Sequence, residues 1–216
     1  MDDRVPDAPR VRDTNRSGSS GSRHRGGQPE SGRGQPDVPK SETPKSNPIQ
    51  QSKSDYKRPV ESRASPEVVA DYQRRADALR SEFTHPNIRE QGNVGIADIN
   101  IEGIDVKTIA AHSSIHKPNK GFVGDGKTKF DSLELPSIDR NGNLGKPYDR
   151  NKDAEYQLFS NIADRLGNNY QAIGKVDIYT EKPVCASCFS VAQQFKSRYQ
   201  NITIKIMDGN GIVLTY

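Results

Sequence analysis

Apolar residues fall along this chain in two rhythms. Val68, Val69, Tyr72, Ala76 and Leu79 recur at three- and four-residue steps, which predicts a helix from Ser65 to about Phe83. Ser65, Pro66 and Glu67 read as its N-cap, first helical position and first-turn acid, and His85-Pro86 ends it. Residues 92–103 and 105–115 read as two strands around a tight turn at Glu102-Gly103, a hairpin. The helical rhythm returns over 153–167, where Phe159, Ile162, Ala163 and Leu166 share a face that stops at Gly167. It returns again in a helix opened by Pro183, with Cys188, Val191, Ala192, Phe195 and Tyr199 on one side. Val176, Ile178 and Thr180 alternate as a strand, as do Ile202, Ile204 and Ile206. Residues 208–211 then turn the chain into a last strand.

Two stretches lack either rhythm. Residues 116–150 are rich in Gly, Asn, Lys, Pro and Asp, with turn dipeptides such as Asn141-Gly142. A loop of that length inside a domain is commonly a binding or lid element. Its aromatics, Phe122, Phe130 and Tyr148, read either as anchors of the loop or as stacking partners for a base. Residues 1–64 contain no Leu, Phe or Cys and run through SGSSGSRHRGGQPESGRGQPD. Such a segment cannot bury enough apolar surface to offset the entropy of ordering it, so a disordered tail is expected.

Composition sharpens that division. The mean hydropathy of −0.89 and the 31% hydrophobic content are low because the tail dilutes them. Residues 1–64 hold 13 of the 32 Lys and Arg and 9 of the 28 Asp and Glu, which leaves 19 of each for the rest. The basic pI near 9.0 is therefore a property of the tail, and does not argue for a basic face on the folded part. No apolar run approaches a membrane span, and MDDRVPDAPR has no apolar region of a secretory leader. A soluble protein without a Sec signal is expected, whose delivery out of a cell would need another route.

The two cysteines, Cys185 and Cys188, stand three apart. In a chain with no leader, that spacing points to metal or redox chemistry more than to a disulfide scaffold. They sit at the start of one helix, and Asp153-Ala154-Glu155 sits at the start of the preceding one. Positions i and i+3 of a first helical turn project side by side, and a helix N-terminus favours thiolate. Two thiolates and one further ligand, with a fourth position open to water, make a catalytic zinc pattern. Asp153 could be that third ligand, with His112 and His116 as substitutes. Glu155 would then reach the water, whose pKa zinc lowers to about 7, and carry its proton. His112 and Ser113, at the end of a strand beside the long loop, are candidate lining for a base pocket. Two other readings fit the same residues. One is a CxxC thiol-redox protein, and the other a non-catalytic zinc-stabilised module that binds nucleic acid.

The segments DAEYQLFSNIADRLG and VDIYTEKPVCASCFSVAQQFKSRYQNI resemble the bacterial polymorphic-toxin deaminases of the cytidine-deaminase-like superfamily. The superfamily signature is H-x-E, a strand, then P-C-x-x-C at the next helix start. This chain has Asp153 in place of the signature His, and Val184 between Pro183 and Cys185. The resemblance covers roughly residues 90–216. It implies a three-layer α/β fold with a mixed sheet flanked by helices, with residues 65–89 a helical lead-in and 90–216 the catalytic domain. It further implies zinc on Asp153, Cys185 and Cys188, with Glu155 as proton shuttle. The implied activity is hydrolytic deamination of a nucleobase, most plausibly cytosine, in nucleic acid or nucleotide. Delivery into a target cell and a cognate immunity protein come with the same resemblance.

Overall fold

The computed structural model describes residues 58–138 and 143–216. The tail over residues 1–57 and the turn expected at Asn141-Gly142 lie outside them. Eight strands and four helices follow one another in the described chain. They are β1 (Val60–Arg63), α1 (Pro66–Ser81), α2 (Pro86–Arg89), β2 (Val94–Ile101), β3 (Thr108–His112), β4 (Glu134–Ile138) and β5 (Leu144–Asp149). Then come α3 (Ala154–Leu166), β6 (Gly174–Thr180), α4 (Ala186–Arg198), β7 (Ile202–Asp208) and β8 (Ile212–Thr215). Six strands form one mixed sheet in the order β1-β8-β7-β6-β2-β3, and β4 and β5 form a separate antiparallel pair. At the centre, β6 and β7 run parallel with Ile178 opposite Ile206, joined through α4. A parallel pair needs such a crossover. Among the described residues, no helix is long and apolar enough to cross a membrane.

The period-2 pattern sorts the strands' side chains to two faces. Ala97, Ile99 and Ile101 of β2, Val176 and Ile178 of β6, and Ile202, Ile204 and Ile206 of β7 pack with α3 and α4. Phe159, Ile162, Val191 and Phe195 close that core from the helices and are fully buried. At roughly 1.5–3 kcal/mol for each large side chain taken from water, this face dominates stability. The opposite face offers Val94, Ile96, Ala110, Tyr179 and Met207 to Ala76 and Phe83, with Val69, Tyr72 and Leu79 half-buried beside them. The result is three layers, α1 on one side of the sheet and α3 with α4 on the other, as expected for the fold.

Several boundaries differ from the sequence reading. β1 falls within the stretch that composition assigns to the tail. All four of its side chains are exposed, and it is held by antiparallel pairing with β8, from Val60 opposite Thr215 to Arg63 opposite Ile212. Backbone pairing leaves no mark in an apolar pattern. The β2–β3 hairpin forms with Ile96 opposite Ala110, but its connection spans residues 102–107 instead of a two-residue turn. Ile104 is buried in the larger core and keeps that connection long. The region 116–150 holds β4 and β5 in place of an unstructured loop. Its Phe122 and Phe130 are buried anchors, whereas Tyr148 is 44% exposed.

Candidate active site

The two motif segments enter their helices in the same way. Asp153 is the N-cap of α3, with φ −60° and ψ 146°, and Cys185 is the N-cap of α4, with φ −84° and ψ 166°. Extended torsions at an N-cap free the side chain from the 100° helical step. Asp153 and Glu155, two apart, can therefore face the same place. α4 begins at Ala186 and not at Pro183, because the Cys185 sulfur accepts the backbone N–H of Cys188 at 3.4 Å and closes the first turn. The CxxC motif thus straddles the helix start.

Asp153, Cys185 and Cys188 converge, with their ligand atoms all within 4.8 Å of one another. Asp153 Oδ2 lies 3.6 Å from the sulfur of Cys185 and 3.6 Å from that of Cys188, and the sulfurs are 3.0 Å apart. Tetrahedral zinc with bonds of about 2.3 Å to sulfur and about 2.0 Å to oxygen sets donors roughly 3.5 Å (S to O) and roughly 3.8 Å (S to S) apart. Both sulfur–oxygen spacings match, and the sulfur pair, at 3.0 Å, would open by roughly 0.8 Å to hold the ion. Two thiol sulfurs and a carboxylate oxygen are donors that zinc accepts. The hydrogen bonds of the Cys188 thiol and amide pull Cys185 below the ordinary thiol range, against its burial. Cys188 is raised well above that range, as donor to Cys185 and by burial.

Glu155 is buried beside this group. Its Oε1 accepts from the Thr180 hydroxyl at 2.6 Å and from the Asn93 side-chain amide at 3.3 Å. Burial pushes its carboxyl above the ordinary range, the Thr180 hydrogen bond draws it back, and the Asp153 charge adds to the rise. Asn93 also donates to Thr180 Oγ1 at 2.8 Å and accepts the Lys182 backbone N–H at 3.2 Å. A short polar frame from the residue before β2, from β6 and from the approach to α4 therefore holds one carboxylate oxygen. Gly92 makes that frame possible. It sits at φ +73°, and a Cβ there would meet His112 Cε1 at 2.5 Å.

The structure separates the two strand-end candidates. Ser113 belongs to the frame through Asn93, whose backbone N–H its Oγ accepts at 3.0 Å. His112 is fully enclosed and stands outside the group of Asp153, Cys185 and Cys188. Its Nδ1 accepts the Ser114 N–H at 3.0 Å, and its Nε2 faces the Gln91 carbonyl at 3.1 Å, so the proton sits on Nε2. Burial and the neighbouring Arg80 hold His112 below the usual histidine range. His116 pairs with Asp125 at 3.1 Å on the exposed loop. Sequence reasoning missed Asn93 and Thr180. Thr180 carried a signal, a polar residue continuing the apolar face of β6.

A sequence model of the toxin-deaminase family, described as the BURPS668_1122 family of deaminases, matches residues 77–210, more than half of the chain. No curated protein and no solved structure matches.

Proposed function

The chain belongs to the toxin-deaminase family, and on that premise we propose that it is a zinc-dependent hydrolytic deaminase of nucleobases. The substrate is cytosine in nucleic acid or nucleotide. The protein acts as an effector toxin delivered into a target cell, and a cognate immunity protein protects its producer. One observation carries this reading. A buried carboxylate, Glu155, is framed by Thr180 and Asn93 next to a three-donor group of zinc chemistry without belonging to it.

Asp153, Cys185 and Cys188 would hold the ion, which supplies the Lewis acidity that brings a water's pKa to about 7. Glu155 would accept a proton from the attacking water as its oxygen adds to the amidine carbon of the base and the ring C=N π pair moves onto the ring nitrogen. The same carboxyl returns a proton to the exocyclic nitrogen, the carbon–nitrogen bond breaks, and ammonia leaves. Thr180 and Asn93 keep the carboxylate aimed through both transfers. Ser113 acts through Asn93, and His112 fixes the wall behind it.

The 3.0 Å between the sulfurs and the lowered Cys185 thiol favour a second reading, a thiol–disulfide pair. It leaves Asp153 and Glu155 without work. About one zinc per purified chain is expected, and zinc-free protein with a disulfide that cycles under mild reductant would replace the deaminase reading. The decisive test is expression in a bacterium lacking uracil-DNA repair, followed by genome sequencing. Accumulated C-to-T changes that vanish with Glu155→Gln are the expected result. A silent genome sends the assay to RNA and free cytidine nucleotides by ammonia release. Failure on all three sinks the proposal.

A further inference from the structure

Where the superfamily signature has a neutral imidazole, this site has a carboxylate, and the neighbourhood of Asp153 holds a matching cation. Arg150 lies three residues before Asp153, in the turn where the Asp153 N–H bonds the Arg150 carbonyl at 3.1 Å. Its Nε donates to Asp153 Oδ2 at 2.8 Å, and Oδ2 is the oxygen equidistant from both sulfurs. Its Nη2 lies 3.9 Å from the Cys185 sulfur, and its Nη1 donates to the Tyr148 hydroxyl at 2.6 Å. The guanidinium also sits over the Tyr148 ring, 4.9 Å from the centroid. Both members of the ion pair are largely buried, the side chains 18% and 11% exposed. Solvent therefore screens little of their interaction.

Charge counting gives this geometry a purpose. Two thiolates and a carboxylate bring three negative charges to a divalent ion, one more than it neutralises, and Glu155 adds a fourth nearby. Bringing three anionic donors together in a buried place is costly without a compensating cation. Partners that orient metal ligands matter nearly as much as the ligands themselves. We propose that Arg150 is a positioning residue for the metal group, which makes a carboxylate workable as third ligand by holding Oδ2 on the sulfur side and cancelling the surplus charge. Tyr148, from β5, braces the guanidinium on its outer side. The proposal rests on the zinc reading above.

The test is zinc affinity, measured on the purified full chain by competition with a chromophoric chelator. Wild type, Arg150→Gln, Arg150→Lys, Asp153→His and the double variant R150Q/D153H are compared. Arg150→Gln is expected to weaken zinc about 10–100-fold, the range typical for such outer partners. Arg150→Lys should recover much of that loss, because the contact to Asp153 is made by Nε, a place a lysine ammonium can approach. Once His replaces Asp153 the ligands themselves carry no surplus charge over the ion, so the Gln change should then alter affinity less than about threefold, roughly 0.6 kcal/mol. Equal losses in both backgrounds, or an Arg150→Lys variant as weak as Arg150→Gln, would overturn the proposal in favour of a merely structural arginine. So would an Arg150→Gln protein that binds zinc like wild type. A wild-type chain that takes up no zinc removes the metal reading itself, which is a different result.

Discussion

On one face of the sheet, α3 and α4 bury Phe159, Ile162, Val191 and Phe195 against a surface of isoleucines and valines. On the other, α1 buries Ala76 alone of its residues and is held by polar and aromatic clasps. Arg75 grips Asp98 through two hydrogen bonds of 2.8 and 2.6 Å, and Asp98 also accepts from Tyr72 at 2.7 Å and Thr108 at 2.8 Å. Tyr72 stacks on Tyr179 at 5.2 Å, and Arg80 pairs with Glu181. The difference bears on chemistry. Every proposed ligand and Glu155 stand at the starts of the two helices on the apolar face. The helix starts that carry them are set by close packing, which resists displacement, whereas the clasps of α1 lie on the other side of the sheet.

The largest effect should come from the site itself. Glu155→Gln is expected to lower the deamination rate by about 10²–10⁴-fold or more, because one carboxyl serves both proton transfers. Zinc content and unfolding midpoint should hold, since the amide keeps its reach to Thr180. Full toxicity with zinc retained would instead indicate a binding module. On the clasped side, Arg75→Ala should leave that rate within a few-fold. A loss like that of Glu155→Gln would break the distinction between the faces.

Stability should rank the faces in the same order. Phe195→Ala, which opens a void among Phe130, Phe159 and Tyr199, should cost about 3–5 kcal/mol in urea unfolding. Asp98→Asn, which leaves a partly exposed charge cluster incomplete, should cost about 1 kcal/mol.

The smallest effect is in pH. Burial opposes ionisation of Asp98, but hydrogen bonds from Arg75, Tyr72 and Thr108 hold its carboxyl below the ordinary range. A carboxyl lowered on folding contributes stability that is complete above its unfolded pKa of about 3.9, and loses it as pH falls through the lower folded value. The gap in urea midpoint between wild type and Asp98→Asn should therefore be constant from pH 5 to 7 and close below pH 4. A gap that widens in acid would show that Asp98 is not held as a carboxylate.

The apolar face was also the legible one. Phe159, Ile162, Val191 and Phe195 announce their helices by spacing, and Ile202, Ile204 and Ile206 announce β7. Asp153 and the CxxC pair were readable because helix starts have their own chemistry. Asn93 was not, since its partner Glu155 is 62 residues away and nothing local marks an amide as part of a frame. Arg150 was hidden in a stretch that composition describes only as loop. β4 and β5 pair Pro136 with Pro147, residues that argue against a strand when read alone. His112 could be read as a ligand or as pocket lining until Arg80, 32 residues earlier, came to lie beside it.

The pairing of Val60 with Thr215 gives the sheet a seam. β1 contributes no buried side chain, and among the described residues its strand neighbour is β8, which hangs in turn on β7. Its docking closes a loop of about 150 residues, at an entropy cost that grows slowly with length and is repaid by backbone bonds alone. β1 is therefore expected to dock after the β6–α4–β7 unit has formed and to detach before it. During synthesis the seam stays open until β8 has emerged, and in the finished fold its amides should exchange with solvent sooner than those of β6 and β7.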